Sequence, residues 1–147
     1  MIRCVNPQTD ADQIMDIARD LSQRASGGLV PDDPVKFASM VYSVLALPGL
    51  QILVMERQDR IVGAIGVLYA PYHWNPEITV ADGLFWWAAK DAPFGSAYRL
   101  FTEAMNRVRQ RGALPMFHAL RSASPGIDRL YRKLGLVPIE TVYAVLP

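Results

Sequence analysis

A turn containing glycine leads into a helix near position 95: Pro93-Phe94-Gly95-Ser96-Ala97. The first N–H groups of a helix have no acceptor within it, and the helix dipole favours negative charge there. Gly95 and Ala97 are small enough to let a ligand approach the chain, which suits a phosphate cradle. Taken alone, the same two residues more often mark a helix that merely starts close against a strand. Ser96 is either a donor to phosphate or a helix cap. Pro93 has no N–H to offer, and Phe94 adds bulk beside the glycine. Lys90 and Arg99 carry positive charge nearby.

Proton transfer has four candidates: His73, Glu77, Asp82 and His118. An isolated histidine is more often a structural or exposed residue than a base. Cys4 reads as a buried small residue, because a cysteine nucleophile needs a positioned histidine and nothing in the sequence places one. Arg107, Arg109 and Arg111 fall in the last turns of a helix, where they complement its dipole.

These residues sit in a chain of 147 residues, long enough to bury a core without a metal or a disulfide. Hydrophobic residues make up 51% and charged residues 20%, which excludes disorder, and the net charge of +1 argues against general nucleic-acid binding. One cysteine rules out an intrachain disulfide and a cysteine-rich zinc site. No stretch approaches ~18 uninterrupted apolar residues, and residues 1–6 lack a signal-peptide core, so the expectation is a cytoplasmic protein.

The elements follow from periodicity. Cys4 lies in a first strand. Asp10 and Gln13 have capping-box spacing, and Ile14, Ile17, Ala18 and Leu21 predict a helix over Ala11 to Arg24, ended by Ser26-Gly27-Gly28. Asp33-Pro34 starts a second helix with Phe37, Val41, Val44 and Leu45 on one face, stopped by Pro48-Gly49. Strands are predicted over Gln51 to Arg57 and Arg60 to Tyr69, joined by a turn at Gln58-Asp59. Gly63 and Gly66 mark a bulge or a close backbone approach. Ala70 to Glu77, with two prolines, is expected to be a loop, and Ile78 to Ala89 a long strand covered on both faces, with Trp86 and Trp87 on opposite sides. Ala97, Phe101, Ala104, Met105 and Val108, with Tyr98 beside them, form the buried stripe of the next helix, closed by Gly112. Leu114 to Leu120 is a strand. Ser124-Pro125 caps a short helix faced by Ile127, Leu130, Tyr131 and Leu134, and Leu136 to Leu146 is a last strand.

This order covers nearly the whole chain and resembles the GNAT N-acetyltransferase superfamily. The strand, turn and helix from Ile78 to Gly112 carry the resemblance, together with Leu130-Tyr131-Arg132-Lys133-Leu134-Gly135-Leu136. Leu84-Phe85-Trp86-Trp87 resembles bacteriophage members of that family. The family turn reads Arg or Gln, two residues, Gly, one residue, then Gly or Ala. Here Ala92-Pro93-Phe94-Gly95-Ser96-Ala97 keeps the last two positions and lacks the leading Arg or Gln.

The resemblance implies a single α+β domain over residues 1–147, with a central mixed, mostly antiparallel sheet flanked by helices. It implies acetyl-CoA as cofactor, bound between the strands Ile78 to Ala89 and Leu114 to Leu120. Phe94, Gly95, Ser96, Ala97 and Tyr98 would hold its pyrophosphate, and the backbone at Trp87 and Ala88 its pantetheine arm. Tyr131 matches the tyrosine that protonates the departing thiolate, and Asp82 lies near the position of a strand glutamate that serves as base. The acceptor would be a primary amine, on a small molecule or a protein, meeting Ser22 to Asp33 and Ala70 to Glu77. The alternative is a catalytically degenerate GNAT-fold module used for binding, motivated by Pro93, Phe94 and the missing Arg or Gln. Neither nucleic acid nor membrane is an expected partner. The final strand would offer an edge for a homodimer.

Overall fold

The computed structural model describes residues 1–25, 33–118 and 126–139. Its elements run β1 (Ile2–Cys4), α1 (Ala11–Ala25), α2 (Pro34–Leu45), β2 (Leu50–Arg57), β3 (Arg60–Tyr72), β4 (Asn75–Ala88), α3 (Ser96–Gln110), β5 (Leu114–Phe117) and α4 (Ile127–Lys133). The five strands form one sheet in the order β1-β2-β3-β4-β5. All neighbours are antiparallel except β4 and β5, which pair in parallel through α3. This is the α+β architecture expected, a mixed and mostly antiparallel sheet between helices.

Two apolar clusters hold helices to opposite faces. On one face Leu100, Phe101, Ala104, Met105 and Val108 of α3 pack on Leu53, Ile65, Val67 and Ala81. On the other, Ile14 and Ile17 of α1 pack on Ile52, Val54, Ile61 and Ala64. The stripe of α3 differs from the expected one at its start: Leu100 is fully buried, whereas Tyr98 is exposed and Ala97 half-buried.

Asp33 caps α2 as its type predicts, accepting from the amides of Val35 and Lys36 at 2.8 and 2.9 Å. The capping box at Asp10 does not form. Asp10 is buried and accepts instead from the Arg3 guanidinium at 2.7 and 3.0 Å and from the Asn6 amide at 2.8 Å. The hydrogen bond from Arg3 holds the Asp10 carboxyl below the ordinary carboxylate range, against the opposing effect of burial. Gln13 accepts from the Ile61 amide at 2.8 Å, so it ties α1 to the start of β3 rather than to its own helix end. Cys4, expected inside, is exposed, because β1 is an edge strand.

The segment Ala70 to Glu77 is a hairpin and not a loop. β3 continues to Tyr72, His73-Trp74 make a two-residue turn, and β4 starts at Asn75. Pro71 pairs with Thr79 beside a register shift, and Pro76 is an exposed residue in the second position of β4. Prolines at such places cost little ladder bonding. Residues 136–139 are not in a strand, and the rest of the expected final strand, with its dimer edge, lies outside the described residues.

Candidate functional site

The site is built by the last rungs between β4 and β5. Val80, Ala81, Asp82 and Gly83 pair with Leu114, Pro115, Met116 and Phe117. Gly83 permits this closeness: a methyl group there would overlap the Phe117 ring. Beyond that rung β4 runs on to Ala88, and among the described residues nothing pairs with it on the β5 side. β4 also changes register against β3 here, since Val67 pairs with Gly83 and Gly66 with Phe85. The extra residue, Leu84, bulges. As a result Trp86 packs on the α3 face and Phe85 and Trp87 on the α1 face.

Side-chain alternation then sorts the titratable groups. Ala81 belongs to the α3 core and Gly83 faces Phe117, whose ring meets Phe101 of α3 at 4.9 Å. Asp82, between them, points to the opposite face. Met116 and His118 of the adjoining segment share that side, and His118 Nε2 lies 2.9 Å from Asp82 Oδ1. Tyr131 comes from α4 on the other side, its ring 5.6 Å from Phe101 and 6.2 Å from Phe117. Its hydroxyl donates to the carbonyl of His118 at 3.0 Å. Burial pushes the Tyr131 phenol up to about 12, so it stays protonated at neutral pH. Three candidates from distant parts of the sequence therefore meet beside the Gly83–Phe117 rung. Glu77 and His73 do not join them: Glu77 is exposed near the start of β4, and His73 stacks on Tyr72 and Trp74 at the hairpin tip.

The phosphate cradle also has its parts. Gly95 is the N-cap of α3 with φ of 80°, a left-handed conformation that favours glycine. No atom lies within 4 Å of a Cβ built there, so the surroundings are open. The Ser96 amide is taken up by Pro93 O at 3.0 Å, and Ser96 is buried with no capping hydrogen bond from its hydroxyl. The amides of Phe94, Gly95, Ala97 and Tyr98 have no partner among the described residues. The Phe94 ring stands wholly in solvent and covers none of them. Ala92, at the place of the absent Arg or Gln, packs its methyl against the α3 core.

Trp87 is held by its indole N–H, which donates to Asp20 of α1, and its backbone and that of Ala88 form the end of β4 beyond that rung. Trp86 Nε1 is buried without a partner among the described residues. Helix-start donors and a β4 edge that are unpaired among the described residues fit a ligand that carries phosphates on an amide-containing arm, as coenzyme A does. Arg99 instead lines a hollow of about 160 Å³ with Met1, Arg57 and Phe94, on the β2 side of the α3 start.

No family model matches the chain, and no curated protein matches it. Solved structures do match, over nearly its whole length. A ribosomal-protein-alanine N-acetyltransferase from Brucella melitensis biovar Abortus 2308 superposes with a TM-score of 0.76 at 15% identity, covering 99% of this chain and 98% of that one. This is the GNAT fold. A predicted acetyltransferase from Clostridium acetobutylicum, solved with acetyl-CoA, shares the fold with a TM-score of 0.71 at 14% identity, over 99% of this chain and 94% of that one. An aminoglycoside acetyltransferase from an uncultured soil metagenomic sample matches at 0.69 and 18%, over 100% and 97%. Identities this low establish the GNAT architecture alone. Among the described residues no helix is long and apolar enough to cross a membrane, and no cluster of His, Cys, Asp or Glu could hold a metal ion.

The sequence left His118 as a minor candidate. The parallel register that sets it beside Asp82 is a long-range property, and no local pattern announces it. Alternation along β5 places His118 on the side of Met116, but only the pairing of Met116 with Asp82 makes that side matter.

Proposed function

We propose that this chain is an N-acetyltransferase that moves the acetyl group of acetyl-CoA to a primary amine by direct attack. The observation that carries the reading is the rung of Gly83 and Phe117, beside which Asp82, His118 and Tyr131 converge. Bound acetyl-CoA would supply an activated acetyl thioester. The free amides at the start of α3 are suited to its pyrophosphate, at the positive end of the helix dipole. The β4 backbone at Trp87 and Ala88 is suited to its pantetheine arm, and the edge left by the bulge at Leu84 offers donors to a developing oxyanion. Tyr131, neutral and largely dry, can give its proton to the departing sulfur. The Asp82–His118 pair stands where an incoming ammonium must lose a proton.

The likenesses support acetyl transfer as the general chemistry, and the acceptor is a small-molecule or protein amine. A GNAT-fold module kept only for binding draws on Pro93, Phe94 and the missing Arg or Gln. The exposed Phe94 ring and the uncovered amides weaken that case.

Calorimetric titration with acetyl-CoA tests the reading, with micromolar binding expected. Tyr131→Phe should then lower kcat by about 10²-fold while leaving acetyl-CoA affinity nearly unchanged. No binding at millimolar cofactor would end the proposal, and an unchanged rate would remove Tyr131 from the chemistry.

A further inference from the structure

We propose that His118 is the catalytic base of this site and that Asp82 is its positioning residue, reversing the order that the resemblance implies. The inference rests on the acetyl-transfer reading and assigns roles within it.

The geometry distinguishes the two groups. Asp82 sits inside β4, flanked by β3 and β5, and its side chain is 35% exposed. His118 follows the last residue of β5, beyond the final rung, and its side chain is 62% exposed. An amine arriving from solvent therefore meets the imidazole first. The 2.9 Å contact to Asp82 Oδ1 occupies Nε2. A carboxylate can only accept, so in the neutral imidazole Nε2 carries the hydrogen and the lone pair is on Nδ1. Nδ1 has no partner among the described residues. Base, orienting carboxylate and free lone pair are thus arranged as in a His-Asp pair that abstracts a proton.

The other side of His118 is engaged as well. Its carbonyl accepts the Tyr131 hydroxyl at 3.0 Å, so proton acceptor and proton donor are joined through one residue beside the Gly83–Phe117 rung. Among the described residues, Asp82 from β4 and Tyr131 from α4 are the titratable groups in contact with His118.

The step balances as follows. Nδ1 of His118 takes one proton from the ammonium of the acceptor, and Asp82 offsets the resulting imidazolium charge. The amine nitrogen bonds to the thioester carbonyl carbon as the carbon–sulfur bond breaks. Tyr131 protonates the leaving sulfur, and the second amine proton returns to the phenolate. His118 then releases its proton to water.

The experiment combines acetyl-CoA calorimetry with thiol release from acetyl-CoA in the presence of a pool of 2-phenylethylamine, spermidine and a tripeptide with a free N-terminus. His118→Gln should bind acetyl-CoA as the unaltered chain does, yet lose about 10²-fold or more in kcat. The loss should shrink at high pH, where the amine deprotonates unaided. Asp82→Asn should lose less, and the double variant should be no slower than His118→Gln, because Asp82 acts through His118. Added imidazole should restore part of the rate to His118→Gly, which a merely structural role would not allow. A full rate in His118→Gln would overturn the assignment, as would an Asp82→Asn loss that is undiminished in the His118→Gln background. Failure of the unaltered chain to bind acetyl-CoA would instead overturn the acetyl-transfer reading, and this assignment with it.

Discussion

Tyr131 is part of the core and also reaches the candidate site. Its ring joins Phe101 and Phe117 in the core while its hydroxyl reaches the His118 carbonyl. Burial raises its pKa from 10 to about 12. The folded state therefore keeps a proton that the unfolded chain gives up above pH 10, and the stability this contributes is complete below pH 10 and lost as pH rises toward about 12. Urea unfolding of the unaltered chain and of Tyr131→Phe should show the unaltered chain losing stability more steeply across that window. Parallel curves would mean that the phenol is not desolvated in solution.

At the scale of elements, the decisive feature is the short parallel contact between β4 and β5. Four rungs join the strands among the described residues, and Gly83 with Phe117 forms the last of these. Gly83→Ala would drive a methyl into the Phe117 ring, which is itself hemmed by Phe101 and Tyr131. Overpacking of this kind costs about 1–3 kcal/mol. Urea unfolding should record that loss, and acetyl transfer should fall as well because the rung positions both Asp82 and His118. An unchanged midpoint would show that the ring can swing aside freely. The bulge at Leu84 is the second device of this element, since it turns Trp86 toward α3 and Trp87 toward Asp20 of α1.

For the whole molecule, cofactor and fold should be linked. The amides at the start of α3 and the end of β4 are brought together only in the native state, so acetyl-CoA would bind that state selectively. At a hundredfold excess over its Kd it should add about 2.7 kcal/mol, raising Tm by roughly 5–10 °C for a domain of this size. Scanning calorimetry with and without the cofactor measures the shift. A flat response would count against the proposed function whatever the fold resembles.

Local signals in the sequence determined most of the elements. Asp33-Pro34 starts α2, Gln58-Asp59 turn with positive φ between β2 and β3, and apolar stripes mark α1 and α3. They work because caps, turns and amphipathic faces depend on neighbours a few residues away. The same local logic failed at Ala70 to Glu77, where two prolines suggested a loop and strand pairing prevailed, and at Gln13, whose partner is in β3. Tertiary structure alone decided that Asp82, His118 and Tyr131 come into contact. Their meeting depends on which rung of β4 faces which rung of β5 and on where α4 packs, both set by packing of the whole core.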